Sequence, residues 1–126
     1  MQKDVYEYAI IRVVPLVERE EFVNAGVILF CKKKNFIRMK YCIPKEKILV
    51  LAPEADIVEI TQNLEAFSKI AEGDKEGGPI ALLDAAERFR WLTAVRSASI
   101  QTSRPHPGMT VDAEKTLNSL FAEMVG

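Results

Sequence analysis

Residues Asn24 to Ile43, NAGVILFCKKKNFIRMKYCI, read as two strands joined by a basic turn. Val27 to Cys31, led in by Asn24-Ala25-Gly26, is an apolar run of strand length. From Phe36 onward FIRMKYCI alternates well enough to be another strand, and the Lys32-Lys33-Lys34-Asn35 turn between the two predicts a β-hairpin. Upstream, Val5 to Val14, VYEYAIIRVV, is β-branched and aromatic, broken only by Glu7 and Arg12, and ends at Pro15. It reads as a buried strand. The charged stretch LVEREEF between the first two strands is left as a loop or a short helix.

After Pro44 the hydrophobic period changes. KEKILVL reads as a short helix started by Pro44 and Lys45-Glu46. Pro53 is expected to open a longer helix, with Ile57, Ile60, Leu64, Phe67 and Ala71 along one face, stopped by the GDKEGG run from Gly73. A third helical pattern spans about Pro79 to Thr93. A short strand is expected at Ser97 to Thr102, a proline-rich turn at Arg104 to Gly108, and a final amphipathic helix capped by Thr110. Strands first and helices after make an α+β fold: one domain over residues 1–126, a small, mainly antiparallel sheet of three or four strands with three or four helices packed on it.

The length suits a single core that needs no disulfide or metal to hold it. A net charge of −1 gives bulk electrostatics no preference for nucleic acid or membrane, so any such binding is local. Charged residues occupy the N-terminal stretch where a signal peptide has its apolar run, so a cytoplasmic location is expected and no membrane association. Cys31 and Cys42 lack metal-ligand spacing and read as reduced cysteines in or beside the core. Charge is uneven: Lys32 to Lys47 holds seven bases against Glu46, while Glu54 to Glu87 holds nine acids against Lys69 and Lys75. Two solvated faces account for this, or a dipolar surface that orients a partner.

Arg88 to Val111, RFRWLTAVRSASIQTSRPHPGMTV, carries four of the seven arginines and the only histidine, with no Asp or Glu. Its guanidiniums need a distant acid, solvent or an anionic ligand. Arg88, Trp91, Arg96, Ser97, Gln101, Ser103 and His106 are therefore candidates for recognising phosphate or carboxylate. In a strand starting at Ser97, the side chains of Ser97, Ser99, Gln101 and Ser103 would share one face. The opposing reading has Arg88 paired with Asp84 and Trp91 in the core. Glu18, Arg19, Glu20, Glu21 and Asn24 form a second charged patch before the second strand. No GxGxxG, Walker A, HExxH or EF-hand spacing occurs, and one histidine without a Cys/His cluster makes a zinc site improbable, so no metal or cofactor is expected.

Two long blocks, residues 6–31 (YEYAIIRVVPLVEREEFVNAGVILFC) and 88–125 (RFRWLTAVRSASIQTSRPHPGMTVDAEKTLNSLFAEMV), resemble in order and spacing the two ends of the bacterial domain of unknown function (DUF) 3037 family. Tyr8, Arg12, Glu18, Arg19, Phe22, Asn24, Gly26, Arg88, Trp91, Arg96, Ser97, Gln101, Ser103, His106 and Gly108 carry that resemblance. It implies a small stand-alone cytoplasmic protein and a partner of the HipA-like kinase fold, and it adds Arg12 to the candidate site. Two functions compete. One is a non-catalytic interaction module, itself a candidate homodimer, whose Arg/Ser/His surface binds an acidic or phosphorylated partner. The other is a small phosphate- or nucleotide-binding enzyme with His106 as acid-base, which requires Arg12, Glu18, Arg96 and His106 to meet in one pocket. Nucleic-acid binding by Lys32 to Lys47, with Phe36 and Tyr41 as stacking groups, is the least favoured.

Overall fold

The computed structural model describes residues 2–96 and 98–125. The predicted hairpin is there: β2 (Val23–Cys31) pairs antiparallel with β3 (Phe36–Tyr41) through a turn at Lys32 to Asn35. Asn35 takes the left-handed conformation, φ 47°, that a short amide side chain tolerates. β1 (Asp4–Val13) lies on the other side of β2, also antiparallel. Its far edge is shared by two short strands, β4 (Ile100–Thr102) and β5 (His106–Thr110). Among the described residues the sheet thus has five strands in the order β3-β2-β1, with β4 and β5 end to end beyond β1. This is one more strand than the upper expectation.

The extra strand is the stretch expected to be a proline-rich turn. Pro107 is accommodated because β5 is an edge strand paired on one side only. Gly108 stands opposite Tyr6, and a Cβ there would run into the Tyr6 ring. Between β4 and β5, Ala9 and Ile10 of β1 face Ser103, Arg104 and Pro105, so the edge carries one extra residue. The buried Ser103 hydroxyl repairs the ladder there. It accepts from the Ile10 N–H at 2.9 Å and donates to the Arg104 carbonyl at 3.1 Å. Ser103→Ala should therefore strand the Ile10 N–H and lower stability by about 1–3 kcal/mol. A urea midpoint unmoved by the substitution would refute that role.

Among the described residues four α-helices pack around the sheet: α1 (Lys45–Leu51), α2 (Ile57–Glu72), α3 (Ala85–Leu92) and α4 (Ala113–Val125). α2 starts four residues later than the Pro53 reading, because the Asp56 side chain, accepting from the Glu59 N–H at 3.0 Å, is the cap. Pro79 to Leu82 forms a separate 3-10 turn before Asp84 caps α3. α4 likewise begins beyond Thr110: Asp112 accepts from the Lys115 N–H at 3.1 Å, and Thr110 Oγ1 accepts from the Asp112 N–H at 3.0 Å.

Burial is two-sided. Ala9, Ile11 and Val13 of β1, with Ile28 and Phe30 of β2, meet Leu64 and Phe67 of α2 and Phe89 and Leu92 of α3 in the larger core. On the opposite face Val27, Leu29 and Cys31 lie under Leu117 of α4. This explains the unbroken apolar run of β2, whose two faces are both covered. Cys31 is buried as expected, whereas Cys42, just past β3, is exposed, and both are free thiols.

Candidate functional site

β1 alternates. Ala9, Ile11 and Val13 enter the larger core, so Tyr8, Ile10 and Arg12 project from the α4 face. α4 lies along β2 and β3 and leaves these three half-exposed. Strict alternation would aim Asn24 at the other face, since Ile28 and Phe30 go there. A bulge corrects this: Gly26 is opposite Ile11 and Asn24 opposite Arg12, so Ala25 is the extra residue and drops into the larger core. Asn24 then shares the α4 face with Arg12, and its Nδ2 donates to the Met124 carbonyl at the end of α4, 3.0 Å away. On Arg12's other side stands Gln101 of β4, and His106 of β5 is opposite Tyr8, ring centroids 5.4 Å apart.

Arg12 is the centre of this face. Its Cζ sits 4.2 Å from the centroid of the Phe22 ring, which is 47% exposed and acts as a shelf. Arg12 Nε is buried without a hydrogen-bond partner, as is Asn24 Oδ1. Among the described residues no carboxylate comes within salt-bridge distance of the Arg12 guanidinium. Beyond Phe22 and Asn24 a cleft of about 440 Å³ opens between α1 and the end of α4, lined by Val23, Lys47, Val50, Leu51, Met124 and Val125. This apolar neighbour was missed from sequence. Its signal was KEKILVL, where four consecutive apolar residues cannot all face inward on a helix: Ile48 is buried and Val50 is 81% exposed.

Arg88, Trp91 and Arg96 lie across the sheet with α2 and α3, and their charges are answered by carbonyls rather than acids. Arg88 Nη1 donates to the Leu83 carbonyl at 2.6 Å, and its guanidinium covers Gly73 at the end of α2, leaving Nε buried without a partner. The expected Arg88–Asp84 ion pair is not formed. Asp84 instead accepts from the Glu87 N–H, which holds its carboxyl below the usual range against an opposing desolvation, with Arg90 and Arg88 adding weaker fields. Arg96 stacks between Trp91 at 4.6 Å and Phe67 at 5.1 Å and donates to the Trp91 carbonyl, so it caps the C-terminal end of α3. Burial pulls its pKa down from its ordinary value. Trp91 is 38% exposed and not a core residue.

The remaining candidates separate. Ser97 lies outside the described residues. The strand starts at Ile100, and Ser99 accepts from Asn63 of α2 at 3.4 Å, so Ser99 and Gln101 do not share a face. Ser103 is committed to backbone, as described above. Glu18 and Arg19 belong to the 3-10 turn Val17–Arg19 between β1 and β2, where Arg19 pairs with Glu21 at 2.9 Å in the open. Arg12 and Arg96 are on opposite sides of the sheet, so the pocket that would gather Arg12, Glu18, Arg96 and His106 is not formed. Of the proposed stacking groups, Phe36 packs against the smaller core and Tyr41 against the larger. The basic stretch is partly absorbed by α4, through Arg38–Glu114 at 3.2 Å and Lys40–Asn118 at 3.1 Å. Among the described residues there is no His/Cys/Asp/Glu cluster able to hold a metal ion, and no helix long and apolar enough to cross a membrane.

No curated protein and no solved structure matches the chain. A family model, described as a protein of unknown function (DUF3037), matches residues 8–125 and so takes in every strand from Tyr8 onward and all four helices. On that match, which also spans both blocks whose resemblance was noted from sequence, the chain belongs to the DUF3037 family.

Proposed function

We infer that this chain is a non-catalytic interaction module, and that the α4 face of its sheet recognises a carboxylate or phosphate on a partner protein. The observation that supports it is Arg12: a guanidinium held over an aromatic shelf, half-buried, flanked by Asn24 and Gln101, and given no acid among the described residues. Fixing a guanidinium this way removes much of the ordering cost of binding an anion. Gln101 Nε2 donates to the Ala98 carbonyl at 2.9 Å, which orients the amide, and His106 is exposed at the far end of the same face. The apolar cleft beside Phe22 gives an aliphatic side chain of the same partner a place to enter.

This reading moves the recognising group from Arg88 and Arg96 to Arg12, with Asn24, Gln101 and His106 as its neighbours. The enzyme alternative loses its required convergence of Glu18, Arg96 and His106. A HipA-like kinase-fold protein, the partner implied by the family resemblance, is the first to try. Immobilised wild type should bind it, and Arg12→Ala should weaken binding by about tenfold or more with an unchanged melting temperature. Arg12→Lys should recover only part, because it loses the planar fork. Equal binding by wild type and Arg12→Ala would overturn the assignment.

A further inference from the structure

The opposite face of the sheet carries a second, independent surface. α3 covers only part of the larger core's side, and beyond it Val5 at the outer end of β1 and Met109 of β5 are left exposed. Val5 and Met109, paired across β1 and β5, are 58% and 57% exposed. With Phe30 and Pro107 they floor a groove of about 650 Å³, walled by Ala86 and Arg90 of α3 on one side and by Lys32 and Lys33 of the hairpin turn on another. Lys3 stands at its end, and among the described residues Glu7 is the one carboxylate that lines it.

The rim is therefore cationic and the floor apolar. Lys3, Lys32, Lys33 and Arg90 are all exposed, and none forms an ion pair among the described residues. The neighbouring Lys34 is different, since it reaches Asp4 at 3.6 Å on the other side of the strand. Nor is the apolar floor a scatter of single surface residues: two large side chains, each more than half exposed, lie side by side with a proline and the edge of a core phenylalanine.

We propose that this groove docks an acidic segment of a partner protein, which lays an aliphatic or aromatic side chain on Val5 and Met109 while its carboxylates meet Lys32, Lys33 and Arg90. Charge complementarity sets the sign of the partner, four cations facing one acid. The floor sets its kind. A single-stranded nucleic acid would want exposed aromatic faces for its bases, but here the exposed floor is Val5, Met109 and Pro107, Phe30 is only 9% exposed, and Tyr6, which also lines the groove, is half-buried and packs against the smaller core. Those surfaces suit side chains of a peptide. The groove is separate from the Arg12 face, with the sheet between them, so each can fail alone.

The test uses the full chain and fluorescein-labelled synthetic peptides in which glutamates flank a Leu-Phe pair, read by anisotropy. Binding is expected to weaken as salt rises. The double variant Lys32→Glu, Lys33→Glu should lose roughly tenfold or more in affinity, and Met109→Gln should lose several-fold, both at exposed positions that leave the fold intact. Arg12→Ala should bind these peptides like wild type. Equal binding of a control peptide with lysines in place of glutamates, or insensitivity to both groove variants, overturns the proposal. Tighter binding of oligo(dT) than of the peptide would also overturn it, in favour of nucleic acid. A wild-type dimer dissolved by the Lys32/Lys33 variant would assign the groove to a second copy of this chain instead.

Discussion

Phe89→Ala should lower the unfolding free energy by about 3–5 kcal/mol. The ring is 2% exposed, and its centroid lies 5.4 Å from that of Phe30 on β2 with 28° between planes, so it joins α3 to the centre of the sheet. Truncation removes its transfer energy and leaves a cavity that a β-sheet floor cannot close. The consequence is larger than the cavity because α3 has only eight residues, too few to stay helical without packing. Arg90 and Ala86, one wall of the basic groove, go with it. Against a total stability of about 5–15 kcal/mol for a domain of this size, such a loss is visible directly in a urea titration as a lower midpoint at similar slope. A change under about 1 kcal/mol would mean that α3 is peripheral and that the larger core closes without it.

Leu117→Ala should cost about 2–5 kcal/mol through the other core. Leu117 is the one buried side chain of α4 and rests on Val27, Leu29 and Cys31. The outward side of α4 holds on by exposed contacts, Arg38–Glu114 and Lys40–Asn118, which contribute little. Without Leu117 the helix should loosen, release the Met124 carbonyl from Asn24 and disturb the Arg12 face, so hydrogen exchange should rise in α4 ahead of the rest. Leu117→Met, which keeps the volume, should restore most of the protection. If amide exchange in α4 of Leu117→Ala matches wild type, the helix is held by something other than this contact. Because the two cores lie on opposite faces, Phe89→Ala should impair the basic groove first and Leu117→Ala the Arg12 face first.

The early part of the fold was legible because its signal is local. Apolar runs of strand length with a polar turn between them predict the β2–β3 hairpin whatever surrounds it. β5 was not legible, since Pro105-His106-Pro107-Gly108 has the composition of a turn, and what makes it a strand is an edge of β1 about a hundred residues earlier in the chain. The site was half legible for a similar reason. The acid-free stretch from Arg88 to Val111 did mark guanidiniums that need a partner other than a neighbouring carboxylate. For Arg88 and Arg96 that partner is a backbone carbonyl, which composition does not display. Arg12 and Asn24 look wrongly phased in sequence, and only the extra residue at Ala25 turns them to one face.

The pairing of β1 with residues 100–110 also orders events while the chain is being made. β1, β2 and β3 emerge from the ribosome together and can zip by short connections, but the far edge of β1 then has no neighbour. Roughly sixty residues separate Tyr41 from Ile100. At about 5–20 residues per second that is about 3–12 s of synthesis during which an open strand edge faces solvent. Such an edge is a template for pairing with another nascent chain. The finished sheet hides it behind β4 and β5, with prolines blunting the outermost side. Any tendency of this chain to aggregate as it is translated therefore depends on when those two short strands arrive, and slowing translation across α2 and α3 should worsen it.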